Sequence, residues 1–354
     1  MLKDESPLEK VDGLDDKQIS KLRALSVTTA EQLLGLVAAD PEAVREFLGV
    51  DIPQVQADAA RVSNPKITRS LREVDTRPFA MGAVPPSDAV VEQRAEQSTF
   101  EDYFGTALSE QAGGPPTEEV LHLDCFDGVR DQGVRGTCVA YACCALLECH
   151  VRRKTGTGID FSEQFLYWAA KERDGRPDQE GTYVDIALDA ATAEGVCLET
   201  VWPYNPVPDP GNESQGPPPT DASQDASGRR APARRKLDPR SSQEIRDTLD
   251  RGSLVAISVP VYKNWYDNPY VRESGSIQMP LPTSSLEGGH AMCAVGYGFS
   301  PSVAGGGYLI LRNSWGTSWA FASEIQAGYG TIPFLYVDRY GWEAFTLDDA
   351  ATAT

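Results

Sequence analysis

Four side chains in this sequence suit nucleophilic chemistry on a carbonyl group: Gln132 and Cys138 in DQGVRGTCVAYACC, His290 in GGHAMCAVGYG, and Asn313 in LRNSWGTSW. A thiolate attacks the carbonyl carbon, so the ordinary Cys pKa of ~8.5 has to fall. An imidazolium neighbour and a helix N-terminus can bring it to about 3–4. Cys138 opens the run CVAYACCALLECHV, which is apolar on nearly every face and lacks Gly and Pro. That pattern predicts a buried helix with the thiol in its first turn. Gly133 and Gly136 would let the preceding loop turn sharply into it. Three histidines are available as a base. His150 lies on the same proposed helix as Cys138, about 18 Å along its axis and out of reach. His122 precedes the nucleophile in LHLDCF. His290 follows two glycines and opens a strand-like apolar run, so it can face a cleft while the strand behind it is anchored in the core. Asn313 ends the strand-like GYLILRN and is placed to accept the imidazole N–H and fix the ring. A lone Cys is more often a small buried hydrophobe, and Cys143, Cys144 and Cys149 read that way. A closed zinc site would need a C-x-x-C pair or suitably spaced His; neither occurs, and no metal or other cofactor is expected.

The order of these four residues, with GGHA-x-x-A-V-G-Y and NSWGTSW around two of them, resembles the papain-like cysteine peptidases over residues 118–348. The resemblance implies peptide-bond hydrolysis through an acyl-enzyme, most simply by an endopeptidase acting on proteins or peptides. Cys138 would be the nucleophile, His290 the general base and acid, and Asn313 the residue that orients it. The Gln132 amide and the Cys138 backbone N–H would receive the oxyanion. Trp315 would shield the His–Asn hydrogen bond from water, and Gly181, Tyr183, Ala291 and Trp315 would line the substrate. An exopeptidase or acyl-transfer enzyme with the same site is a second reading, and a binding protein that keeps the fold without turnover is a third. The chain also departs from the family pattern. Arg135 stands where a disulfide cysteine is usual, Val139 where an aromatic follows the nucleophile, and Glu180-Gly181 where two glycines are usual. Mechanism therefore transfers more readily than specificity.

The positioning elements can be read as well. FSEQFLYW starts a helix at the cap Ser162, and EGTYVDIALDAATAEGV reads as a loop and a helix closed by Gly195. The runs SLVAISVP, HAMCAVGYG, GYLILRN and PFLYVDRY read as strands. Helices first and strands second give an α+β molecule of two lobes, a helical one and a β-barrel-like one, with a cleft between them.

Residues 1–66 form a small all-α module. DDKQISKLRAL is followed by a capping box Thr28-x-x-Glu31, by Asp40-Pro41 opening EAVREFLG, and by DIPQVQADAARV. VDGLDDKQISKLRALSVTTAEQLL resembles a helix-hairpin-helix unit. Only Gly13 remains of the glycines that would meet phosphates, and Asp15 and Asp16 follow it, so a protein partner is favoured over nucleic acid. A net charge of −20 also repels phosphate backbones. No apolar run approaches the ~20 residues that span a bilayer, so no membrane partner is expected. Seven cysteines without paired spacing, behind a charged opening MLKDESPLEK, suggest a reducing, cytoplasmic setting. Residues 67–117 read as a linker or as an inhibitory segment lying across the cleft. Residues 205–240, rich in Pro, Ser, Gly and Asp, read as a mobile insertion whose basic end RRAPARRK is a candidate cleavage or docking site.

Overall fold

A computed structural model describes residues 2, 4–73, 78–86 and 119–348. The first part is five helices: α1 (Asp16–Ala24), α2 (Ala30–Ala39), α3 (Pro41–Leu48), α4 (Ile52–Val62) and α5 (Pro65–Glu73). Their starts follow from side chains that satisfy the free N–H groups of a first turn. Asp15 accepts from Gln18 N, Asp40 from Ala43 N and Asp51 from Gln54 N, the last two with Pro in the first turn. The box that opens α2 is Thr29 with Gln32, one residue later than the expected Thr28 and Glu31. Glu31 is instead buried, accepting from Ser6 N (3.0 Å) and Asn64 N (2.6 Å), and so ties the two ends of the module together. Helix runs on to residue 73, past the expected boundary at 66, because Ile67 and Leu71 of α5 pack on Tyr270 of the C-terminal lobe. The module is docked on that lobe. Asp40 accepts from Ser284 Oγ (2.9 Å), Ser26 Oγ accepts from Ala304 N (2.9 Å), and Gly35 leaves room for Tyr270, whose Cβ lies 2.5 Å from where a side chain would begin.

After β1 (Val120–Leu121) come α6 (Cys138–Thr155), α7 (Glu163–Lys171) and α8 (Val184–Ala193), which pack on one another as the helical lobe. Helix α6 is buried continuously from Cys138 to Cys149, as its apolar run requires. Ser162 caps α7 by accepting from Phe165 N (3.0 Å), and Gly195 takes φ +85° just beyond α8. The rest comprises α9 (Ala222–Ser227), β2 (Arg234–Lys236), α10 (Ser242–Asp250), β3 (Val255–Tyr262), α11 (Lys263–Tyr266), α12 (Pro269–Ser274), β4 (Leu286–Phe299), β5 (Gly307–Arg312), β6 (Tyr329–Pro333), α13 (Phe334–Tyr340) and β7 (Glu343–Leu347). The strands form one antiparallel sheet in the order β2-β7-β3-β4-β5-β6, with β1 added to β4. Helix α6 lies against β3 and β4, so its N-terminus meets the middle of the sheet at the seam between the lobes.

Three expectations are corrected. PFLYVDRY is helix α13 preceded by β6, not a strand. A short apolar run fits either form, and here Phe334 to Val337 are all buried while Asp338 accepts from Ser242 N and Oγ of α10. Cys149 is not a lone core thiol: it is disulfide-bonded to Cys125, which a short 3-10 turn brings onto the C-terminal half of α6. Residues 205–240, expected to be mobile, hold α9 and β2 and bury Ala222, Ala226 and Leu237. The basic end is part of the sheet, with Arg234 and Lys236 paired to β7 and the Arg234 guanidinium forked onto Asp189 (2.7 and 2.9 Å).

Candidate active site

Cys138 is the first residue of α6 and is fully buried. The N–H of Ala291 donates to its sulfur (3.3 Å), so the thiol touches the peptide that follows His290 on β4. His290 pairs with Val259 in the register of β3 and β4, a central position that fixes its backbone. Its Nε2 donates to Asn313 Oδ1 (2.7 Å), which holds the proton on Nε2 and leaves Nδ1 without a hydrogen-bond partner among the described residues. That is the tautomer able to take a proton from a thiol. Asn313 follows the last residue of β5, and its Oδ1 also accepts from Ser314 N (2.7 Å), which locks the amide orientation. Trp315 stacks on the imidazole with centroids 4.3 Å apart and is itself buried, covering the His–Asn pair. His150 sits far along α6 and His122 bonds to Leu249 O (2.9 Å), so only His290 among the three shares this site.

Gln132 is buried in the loop before α6. Its Oε1 accepts from Ser314 Oγ (2.6 Å), its Nε2 donates to Arg135 O (2.7 Å), and its own N–H donates to Ser314 O (2.8 Å). These bonds fix the amide plane. Gly133 turns the loop at φ +64°.

Residues 78–86 run through the cleft. On one side of the thiol, Phe79 stacks on Trp315 (4.7 Å, 11°), and Trp315 Nε1 donates to Ala80 O (2.9 Å). Tyr266 Oη donates to Phe79 O (2.9 Å). On the other side, Thr182 N donates to Gly82 O (2.9 Å) and Val84 N donates to Thr182 O (3.1 Å), while Ala83 N donates to Gly289 O (3.1 Å). The pairing of Ala83 with Thr182 is parallel. At the centre, the N–H groups of Gly82 and Ala83 face the Cys138 sulfur together with those of Val139 and Ala291. The segment thus turns backbone amide hydrogens toward the thiol. Gly82 is required by close approach, since a Cβ there would overlap the Gly136 carbonyl. Other residues expected in the segment 67–117, namely 74–77 and 87–117, lie outside the described residues.

Of the expected substrate-lining residues, Gly181, Ala291 and Trp315 touch Gly82, Cys138 and His290 respectively. Gly181 does not pair with the segment: its N–H donates to Tyr167 Oη (3.1 Å) and its carbonyl accepts from Lys171 Nζ (3.1 Å). Thr182 takes the pairing role, and Gly181 contributes by lacking a side chain, whose first atom would stand 2.5 Å from Gly82 O. Tyr183 is the partly buried cap residue of α8, and Ala291 contacts the thiol. Glu343 of β7 accepts from Val184 N (3.2 Å) and Asp185 N (3.3 Å), fixing the start of α8 and with it Thr182. Thr182, Ser314 and Glu343 are absent from the sequence expectations. Ser314 alone had a signal, its place inside the NSWG segment.

With the cleft covered, burial dominates the electrostatics. It pushes the Cys138 thiol up to about 11 despite the four N–H groups around it, and the His290 imidazole down to about 4 despite the Asn313 bond. Both residues are therefore neutral near pH 7. A raised thiol pKa means that thiolate is scarce below it, so alkylation of Cys138 by iodoacetamide in the full chain should be slow at neutral pH. The rate should climb about tenfold per pH unit toward pH 11. Mass spectrometry of the Cys138 peptide across pH 6–11 reads this directly; a rate already on its plateau at neutral pH contradicts it.

Residues 122–331, more than half of the chain, match the model of the papain family cysteine protease. An uncharacterized peptidase-like protein of Acanthamoeba polyphaga mimivirus is 24% identical over 216 residues, 58% of this chain and 64% of that protein. Caricain of Carica papaya is 27% identical over 234 residues, 65% of this chain and 60% of caricain. The chain thus spans less than two thirds of the length of these relatives. The crystal structure of xylellain, a cysteine protease from Xylella fastidiosa, superposes with a TM-score of 0.58 at 21% identity, covering 77% of this chain and 97% of xylellain, a likeness of fold. Its family match and its two-lobed architecture agree: this chain belongs to the papain family of cysteine proteases.

Proposed function

We propose that the chain is a cysteine endopeptidase held latent by its own residues 78–86. The observation that carries the proposal is the junction at Cys138: a thiol in the first turn of a helix, beside an imidazole whose Nε2 is held by Asn313, with a length of the same chain laid over it. Once the cleft opens and water enters, the helix N-terminus and the imidazole favour the thiolate–imidazolium pair. The thiolate adds to the scissile carbonyl, and its oxygen becomes an oxyanion met by the Cys138 N–H and the Gln132 amide. His290 gives its proton to the departing amine, leaving the acyl group on sulfur. Water then hydrolyses that thioester, with His290 accepting its proton.

Endopeptidase action is favoured over trimming because chain lies on both sides of the thiol, Phe79 to Met81 towards Trp315 and Val84 to Pro86 towards Thr182. Latency is favoured because the segment lies against a fully buried thiol and turns backbone amide hydrogens toward it. The Gly82→Val chain tests both points, since any side chain at 82 collides with Gly136 and overpacking of this kind costs about 1–3 kcal/mol. Turnover of a peptide library by full-length Gly82→Val protein should exceed that of the unaltered chain by about tenfold or more, with cuts inside the peptides. Equal turnover removes latency, and release of terminal residues alone removes endopeptidase action.

A further inference from the structure

We infer that Arg135 is a positioning residue through which the segment 204–213 sets the geometry of the oxyanion loop; the inference rests on the peptidase reading above. Arg135 is only 1% exposed. Its Nη1 donates to Gln164 Oε1 (2.7 Å) and Asn205 O (2.8 Å), and its Nη2 donates to Glu213 O (3.2 Å). The guanidinium also lies over the rings of Tyr167 (5.5 Å) and Tyr204 (5.1 Å). A buried cation is costly to desolvate, and a residue needed only to fill space would be apolar. What a guanidinium adds is a rigid planar fork, able to fix several carbonyls at once.

The backbone of the same residue reaches the catalytic groups. Arg135 O accepts from Gln132 Nε2 (2.7 Å) and from Thr137 N (2.9 Å), so the peptide that the fork anchors is the one holding the oxyanion amide and the turn into Cys138. A second strut runs in parallel. Tyr204 Oη donates to Gln132 O (2.9 Å) and shares a hydrogen bond with Thr137 Oγ1 (2.7 Å). Pro206 closes the contact, its Cβ 2.8 Å from where a side chain on Gly133 would begin. Every loop residue that the oxyanion site depends on is therefore braced by residues 204–213. Donors must be fixed before the charge develops in order to lower the barrier, and a shift of about 1 Å can cost about 10²-fold.

The test uses full-length protein carrying Gly82→Val, so that the cleft is open, and compares Arg135→Ala, Gln132→Ala and the double variant. Arg135→Ala should lower kcat for peptide hydrolysis by about 10–100-fold with KM within about twofold, because the oxyanion forms only in the transition state. Alkylation of Cys138 by iodoacetamide makes no oxyanion and should stay within about twofold. In the Gln132→Ala background, Arg135→Ala should lower kcat by less than about threefold, since the two residues act as one unit. Millimolar guanidinium ion should restore part of the activity of Arg135→Ala. If that variant does not fold, Tyr204→Phe reads the same network by removing the parallel strut, with the same separation of hydrolysis from alkylation. A full multiplicative loss in the double variant, or hydrolysis and alkylation falling together, overturns the inference. A parent that alkylates at Cys138 but hydrolyses no peptide overturns the peptidase reading and this inference with it.

Discussion

Cys138→Ala in the Gly82→Val chain is expected to lower peptide hydrolysis to background, a loss on the order of 10⁶-fold by analogy with removal of other catalytic nucleophiles. Only a sulfur atom is lost from a site that is buried on all sides, so the fold should persist. Circular dichroism and thermal unfolding check the fold, and a fluorogenic peptide checks the activity. The neighbouring thiols cannot substitute. Cys143 and Cys144 lie deeper along α6, and burial pushes both of their pKa values well up. Appreciable hydrolysis by Cys138→Ala would mean that another group attacks the substrate.

The second large effect belongs to the base. His290→Ala should lose about as much as removal of the nucleophile, because thiol and imidazole act as one unit, whereas Asn313→Ala should be about 10²-fold milder. Asn313 orients the ring through the 2.7 Å bond to Nε2 and exchanges no proton itself. His150→Ala should leave turnover unchanged, since His150 lies more than three turns along α6 (Cys138–Thr155) from Cys138, about 18 Å away. Steady-state kinetics on the four open-cleft chains separate these outcomes. Equal losses in Asn313→Ala and His290→Ala would require a proton-transfer role for Asn313.

The residues proposed to carry the chemistry were legible because their types are constrained twice. Cys138 needed a helix start, and the helix behind it shows in its unbroken apolar run; His290 needed a strand, and β4 shows in HAMCAVGYG. Asp40-Pro41 and Ser162 were legible as helix starts because a cap is a local event involving residues within three positions. Less local features escaped. The Cys125–Cys149 disulfide joins residues 24 apart in sequence with no spacing motif to announce it. PFLYVDRY carries too few residues for its period to separate helix from strand. Gly82 looks like any loop glycine until Gly136 is seen against it. Residues 205–240 lack the apolar content of an ordered segment, yet they are held through carbonyls that accept from Arg135 and through a short strand paired to β7. Backbone acceptors are present at every position, so composition cannot reveal which of them a distant arginine will find.

If Cys138 is the nucleophile of a cleft closed by residues 78–86, an electrophilic peptide ketone should find it selectively. The unaltered and Gly82→Val full-length chains are incubated with the reagent at neutral pH, and the adduct is located by fragment mass spectrometry among the five free cysteines, Cys138, Cys143, Cys144, Cys197 and Cys293. One adduct is expected, on Cys138, formed at least about tenfold faster in Gly82→Val and suppressed by His290→Ala. Adducts spread over the other thiols, or labelling of Cys138 at equal rates in the two chains, would contradict it.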